Sequence, residues 1–151
     1  MKYPSKVGYS SYGKCLFAKK DLPLGTIVEQ FKGIIVSREK IPIGEICYAI
    51  LIENDKWMIP ISYARYLNHS CNANCRIDDN LNVITIRSIK NNEELTISYN
   101  IVYENENPGD WNPYWTFICL CGAKNCQGII DKYITPSGKP WISKNITRII
   151  A

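Results

Sequence analysis

The apolar positions of this chain fall in short β-branched and aromatic runs, Cys15–Ala18, Thr26–Phe31, Ile46–Ile52, Trp57–Ile59 and Val83–Ile86, each cut by Gly, Pro, Asn or Asp. Runs of that length and composition predict strands. Asp79-Asn80, between Arg76-Ile77 and Val83, reads as a hairpin turn. Ser62–Leu67 allows at most a turn or two of helix, so the fold class expected is mainly β with minor helix. From Tyr103 to Pro113 the composition shifts to Glu, Asn, Pro, Gly and Asp, the signature of an irregular, mobile connector. The tail beyond it carries Ile129, Ile130, Tyr133, Ile134, Trp141, Ile142, Ile149 and Ile150 and is too apolar to float free. It is expected to fold back onto the core.

A length of 151 residues with 46% hydrophobic residues fits a single domain with one compact core. The formal charge of +4 is carried by scattered residues, which argues against a nucleic-acid groove. The N-terminal Met1–Lys6 lacks the apolar stretch of a secretory signal, and no run of 18 apolar residues exists for a membrane span. The expectation is a soluble, intracellular chain, cytoplasmic or nuclear, with no membrane partner and no direct nucleic-acid partner. On that basis the formal glycosylation patterns at Asn68 and Asn145 are set aside.

Seven cysteines in a reducing compartment read as metal ligands and buried thiols rather than disulfides. Cys119, Cys121 and Cys126 form a Cys-x-Cys-x4-Cys knuckle that leaves a tetrahedral zinc one ligand short. The candidates for the fourth are Cys71, Cys75, His69, Cys15 and Cys47. Cys71 is chosen because it closes a polar turn, whereas Cys15 and Cys47 sit in apolar runs and behave as small core residues. His69 is the one histidine, with no fixed carboxylate partner in the sequence, so neither a Ser-His-Asp nor a Cys-His arrangement is evident. Hydrolase chemistry is not expected. Redox use of Cys119 and Cys121 is disfavoured too, because Cys-x-Cys lacks the helical Cys-x-x-Cys context that tunes a thiol.

Four motifs in order resemble those of the SET-domain protein-lysine methyltransferases with a zinc-binding post-SET motif. They are Gly13-Lys14-Cys15-Leu16-Phe17-Ala18, with Cys15 where the family has a second glycine; Asn68-His69-Ser70-Cys71, preceded by Arg65; Glu94-Leu95-Thr96-Ile97-Ser98-Tyr99; and the three-cysteine knuckle. The resemblance runs from about Val7 to Gly128. It implies a SET fold of several short-stranded sheets, in which the second and third motifs cross in a pseudoknot, and a C-terminal knuckle where Cys71, Cys119, Cys121 and Cys126 hold one structural zinc. The implied organisation is a SET core over 7–103, the connector over 104–116, the knuckle over 117–128 and a tail over 129–151 packed on the core.

The resemblance further implies S-adenosylmethionine as methyl donor, leaving S-adenosylhomocysteine, held by Gly13, Lys14, Cys15, Tyr48, Arg65, Asn68 and His69. Tyr99 is the implied catalytic residue, and Phe31, Tyr48 and Tyr103 the implied substrate channel, with Trp115 and Phe117 equally readable as core. The acceptor is a lysine of a histone or other basic protein or peptide. Its amine, with a reference pKa of about 10.4, must react neutral, and a desolvated aromatic channel beside a sulfonium cation favours that form. Ile97 stands where many relatives carry a Phe or Tyr that influences the number of methyl groups added, and Ser98 replaces the commoner aspartate. Degree of methylation, oligomeric state and target protein are not legible. The competing expectation is a catalytically inactive, zinc-stapled module that binds a peptide without turnover.

Overall fold

The computed structural model describes residues 2–11, 13–53, 55–99, 103–104, 117–130, 133–134, 140–141 and 149–150; of 103, 104, 117, 130, 133, 134, 140, 141, 149 and 150 it describes the backbone alone. Most of the connector, with Trp115, therefore lies outside the described residues. Where length suggests a single core, the chain divides into two compact units. The first comprises Met1–Asn68 with Ala73–Ile97, the second His69–Asn72 with Ser98–Ala151.

The first unit is built of short strands: β1 (Ser5–Ser10), β2 (Gly13–Ala18), β3 (Ile27–Gln30), β4 (Gly33–Val36), β5 (Ile50–Glu53), β6 (Lys56–Pro60), the Asn68 half of β7 (Asn68–His69), β8 (Cys75–Ile77), β9 (Asn82–Thr85) and β10 (Glu94–Ile97). They form one sheet in the order β1-β2-β10-β7 and two three-stranded sheets, β3-β9-β8 and β4-β6-β5. Among the described residues helix is confined to single 3-10 turns, one of them Tyr63–Tyr66 just before the Asn-His pair. This matches the mainly β expectation and the several short-stranded sheets that the resemblance implies.

The hairpin at Asp79-Asn80 forms because the Asp78 carboxylate accepts the backbone N–H groups of Asn80 at 2.9 Å and Asn82 at 2.8 Å. Such local side-chain bonding is what favours Asp in turns. The run Ile46–Ile52 departs from the expected strand. Only Ile50–Glu53 is extended, while the Glu45 carbonyl accepts the N–H groups of Tyr48 and Ala49 and coils the stretch before it into turns. Cys47 accordingly lies half-buried in a turn, not in a strand of the core.

Leu16, Ala18, Val28, Val83 and Leu95 are fully enclosed, and Leu67 and Ile89 nearly so. Burying each large aliphatic side chain contributes about 1.5–3 kcal/mol, so these residues contribute substantially to the stability of the first unit. Asn74, also buried, ties it across: its Oδ1 accepts the Thr96 N–H at 2.8 Å and its Nδ2 donates to the Glu94 carbonyl at 2.7 Å.

The second unit contains β11 (Tyr103–Glu104), β12 (Phe117–Cys119), β13 (Ile129–Ile130), β14 (Tyr133–Ile134), β15 (Pro140–Trp141) and β16 (Ile149–Ile150). Strand β12 lies between β13 and β16, and β14 between β11 and β15. The described parts of the apolar tail thus find backbone partners within this unit. No helix among the described residues is long and apolar enough to cross a membrane.

Candidate functional site

In the second unit the cysteines of the knuckle converge with the cysteine of the Asn-His-Ser-Cys turn. The sulfurs of Cys71, Cys119, Cys121 and Cys126 all lie within 4.8 Å of one another. In a tetrahedral site with Zn–S of about 2.3 Å the sulfurs stand about 3.8 Å apart; Cys71 Sγ and Cys119 Sγ are 3.9 Å apart. Four soft thiolate donors at that spacing suit zinc and are too far apart for disulfides. Backbone N–H groups already face the sulfurs, Gln127 N at 3.3 Å from Cys71 Sγ and Gly128 N at 3.4 Å from Cys126 Sγ, a setting that favours sulfur in its charged form. Between the second and third knuckle cysteines Gly122 takes a positive φ of +71, and the chain then turns at Lys124-Asn125, where the Ala123 carbonyl accepts the Cys126 N–H at 3.0 Å.

The thiols do not share their protons evenly. Burial and the neighbouring cysteines push Cys119 up, and burial pushes Cys71 up as well. Burial also opposes ionisation of Cys121, yet hydrogen bonds from the Cys71 and Ala123 backbone and from the Cys119 and Cys126 thiols bring it down to about 6. Cys75, proposed among the alternatives for fourth ligand, stays in the first unit, buried, its thiol pushed up to about 12 by desolvation. Cys15, buried on β2, behaves likewise as a core thiol.

His69 and Tyr99 also meet in the second unit. The Tyr99 backbone N–H donates to His69 Nδ1 at 2.8 Å, and the rings lie 5.5 Å apart at 55°. His69 Nε2 is 3.2 Å from Cys71 Sγ. The imidazole is 1% exposed, and burial pulls its pKa down to about 4, so the ring is neutral near pH 7. Tyr99 itself is half-buried, two residues beyond the end of β10 rather than on the strand.

In the first unit Arg65 is the centre of a second cluster. Its guanidinium lies over the Tyr48 ring at 4.4 Å, donates to Glu45 Oε2 at 2.8 Å and to the Pro60 carbonyl at 3.0 Å, and approaches the Tyr66 ring at 6.0 Å. Lys14 Nζ lies over the same Tyr66 ring at 5.1 Å. Two of the residues expected to hold the cofactor, Lys14 and Arg65, therefore meet at Tyr66, and a third, Tyr48, lies against Arg65. Glu45 and Tyr66 were not legible in the sequence, because what marks them is a contact with Arg65 and no local motif. Asn68 Nδ2 donates to Glu94 Oε1 at 2.8 Å, joining the second and third motifs by a side-chain bond.

Two observations test whether this unit suits a polar nucleoside ligand. Arg65 Nε is buried and has no hydrogen-bond partner among the described residues, which leaves a donor available to an incoming acceptor. Gly13 holds φ +111 with open space where a side chain would project, so the main chain there accepts a close neighbour. Cys15 stands where the family has glycine, but the positive φ falls on Gly13, and the chain at Cys15 is ordinary strand. Phe31, expected in the substrate channel, is 5% exposed; of Tyr103 and Phe117 only the backbone is described.

The SET domain family profile matches residues 13–100. Similar curated proteins include the H3 lysine-36 specific histone-lysine N-methyltransferase of Gibberella zeae, 34% identical over 46% of this chain and 7% of that protein. A protein of the same description from Mus musculus is 27% identical over 88% of this chain and 6% of its own length. Histone-lysine N-methyltransferase 2B of Homo sapiens is 27% identical over 80% of this chain and 5% of its own. The chain thus spans less than a tenth of the length of these relatives. Among solved structures, a crystal structure of a candidate histone methyltransferase from Plasmodium falciparum aligns with a TM-score of 0.57 at 22% identity, covering 66% of this chain and 96% of that one, a likeness of fold. With more than half its length matched by the family profile, the chain belongs to the SET domain family.

Proposed function

We propose that this chain is a protein-lysine N-methyltransferase that moves a methyl group from S-adenosylmethionine to the side-chain amine of a lysine in a histone or another basic protein. The observation that carries the reading is the retention, within a SET domain, of Tyr99 on a backbone pinned by the buried His69. S-adenosylmethionine, when bound, supplies an electrophilic methyl group on a sulfonium centre.

The residues suited to hold it are Gly13, Lys14 and Cys15 through their main chain, Tyr48 and Arg65 through the cluster described above, and Asn68 and His69. Arg65 Nε offers a buried N–H to an acceptor, and the Tyr48 ring, already covered on one side by Arg65, presents an aromatic wall. Tyr99 would orient the lysine amine through its hydroxyl, and Phe31, Tyr48 and Tyr103 would line the alkyl stem and keep water away. Alignment of two reactants in attack geometry is worth roughly 7–11 kcal/mol, so positioning by these side chains suffices for a large acceleration without a carboxylate base. Exclusion of water favours the neutral amine that the displacement needs. The four-cysteine cluster would hold one structural zinc, closing the knuckle without joining the chemistry.

The test is transfer of labelled methyl from S-adenosylmethionine to a panel of histones and other lysine-rich proteins, with calorimetry for nucleoside binding. Wild type is expected to bind and transfer. Tyr99→Phe is expected to bind with similar affinity, keep its folded spectrum and lose transfer by at least about a hundredfold. Full activity of that variant would remove Tyr99 from the mechanism, and absence of nucleoside binding by wild type would leave a zinc-stapled binding module.

A further inference from the structure

His69 is buried with both ring nitrogens occupied by neighbours of opposite demand. A backbone N–H can only donate, so Nδ1, 2.8 Å from Tyr99 N, must be the bare nitrogen and the proton of the neutral ring sits on Nε2. That proton faces Cys71 Sγ at 3.2 Å, and the Gln127 N–H reaches the same sulfur at 3.3 Å. A thiol sulfur is a weak acceptor and a metal-bound thiolate a strong one, so two converging N–H donors suit Cys71 as a ligand. Groups that donate to a metal's ligands orient those ligands, and the same bond orients the donor in return.

Resting on the zinc and Tyr99 readings above, we infer that His69 is a positioning residue linking the four-cysteine site to Tyr99. The imidazole is a rigid bridge whose Nε2–H is held by the Cys71 thiolate and whose Nδ1 holds the Tyr99 amide, so that metal in the knuckle sets where Tyr99 stands. All three residues belong to the second unit, and Cys71 is only two positions from His69 in the chain. The knuckle is then more than a staple for the C-terminal segment. It is the anchor at one end of a three-residue train, Cys71 to His69 to Tyr99, and occupancy of the metal site is transmitted to the phenol without any contact between the metal and the substrate.

Two substitutions cut the bridge at different ends. His69→Asn places an acceptor where Nδ1 was but cannot reach the sulfur; His69→Gln places a donor where Nε2 was but cannot hold the Tyr99 amide in the same geometry. The full chain is loaded with cadmium-113 in place of zinc and labelled with nitrogen-15. In wild type the expected spectrum has His69 protonated on Nε2 alone, with scalar coupling from that proton to cadmium across the sulfur. His69→Asn is expected to move the cadmium resonance, and His69→Gln to move the Tyr99 amide resonance. In the zinc-loaded protein both should lower kcat about tenfold or more, the range seen for loss of outer-shell partners, with little change in the KM for a lysine peptide.

A proton found on Nδ1, or a cadmium resonance unmoved in His69→Asn, overturns the link. Failure of the chain to take up cadmium overturns it together with the metal reading. If wild type transfers no methyl but the coupling and both resonance shifts are present, the activity reading fails and the link stands.

Discussion

The Arg65 guanidinium lies over the Tyr48 ring, 4.4 Å from its centroid, while one arm holds Glu45 Oε2 at 2.8 Å and another the Pro60 carbonyl at 3.0 Å. Only a planar, forked cation meets all three demands at once. Arg65→Lys keeps the charge but loses the stack and one of the two hydrogen bonds, a change of roughly 1–2 kcal/mol at a partly buried site. The expected outcome is a lower melting temperature from the lost contacts and, because lysine has no counterpart to the buried Nε–H, about tenfold weaker binding of S-adenosylmethionine by calorimetry, equivalent to about 1.4 kcal/mol. A lysine variant that binds as tightly as wild type would show that the fork plays no part in holding the nucleoside.

Metal content offers a second measurement. If the four sulfurs hold one zinc, the purified chain should carry about one equivalent, as a closed four-thiolate site does. Chelation should expose the 117–130 segment to protease, because metal affinity and local folding are coupled in such sites. Cys121→Ser removes a thiolate and should weaken metal binding by roughly a hundredfold or more, given that loss of an outer partner alone costs 10–100-fold. Cys47→Ser, outside the cluster, should leave the metal content unchanged.

The cysteine cluster was legible because its spacing is chemical: three thiols within eight residues suit a shared ion, and the polar turn around Cys71 singled out the fourth member of the cluster. The strands of the first unit were legible where Gly, Pro or Asn cut β-branched runs, as at β2, β6 and β9. Ile46–Ala49 reads the same way yet coils, since apolar periodicity over so few residues does not separate a strand from a buried turn. Glu45, Tyr66 and Asn74 carry no local signal at all. Their roles come from partners about 20 residues away, Arg65 for the first and Glu94 and Thr96 for the last, and from the two cations that approach Tyr66.

Gly33 supports a third prediction, this one about folding. It pairs with Pro60 where β4 meets β6, and a Cβ added there would run into the Ile59 backbone carbonyl, which cannot swing aside as a flexible side chain would. Gly33→Ala should therefore destabilise the first unit by about 1–3 kcal/mol, the usual cost of forcing an extra carbon into a packed site, or more if the backbone cannot shift. Chemical denaturation measures it. Gly44→Ala, where the added carbon meets open space, is the control and should change stability by well under 1 kcal/mol.

The last prediction concerns acid. Glu93 accepts a hydrogen bond from the Arg87 guanidinium, and further bonds from the Lys90 N–H at 3.0 Å and Asn74 Nδ2 at 3.4 Å. The Arg87 bond foremost, with help from the Lys90 amide and against a modest desolvation cost, holds the carboxyl below its usual range. A carboxylate with a depressed folded pKa contributes stability that is fully present above the unfolded value, about 4.3, and is lost as pH falls through the lower folded value. Arg87 is about half exposed, so solvent screening limits the contribution to about 1 kcal/mol. Glu93→Gln mimics the protonated side chain. The stability difference between wild type and this variant should be constant from pH 6 to 8 and shrink toward zero below about pH 4, because protonation then makes the two side chains alike. Urea midpoints at a series of pH values measure it, and a difference that persists unchanged at pH 3 would mean that the Glu93 carboxylate charge contributes nothing and that the Gln variant is weakened by packing alone.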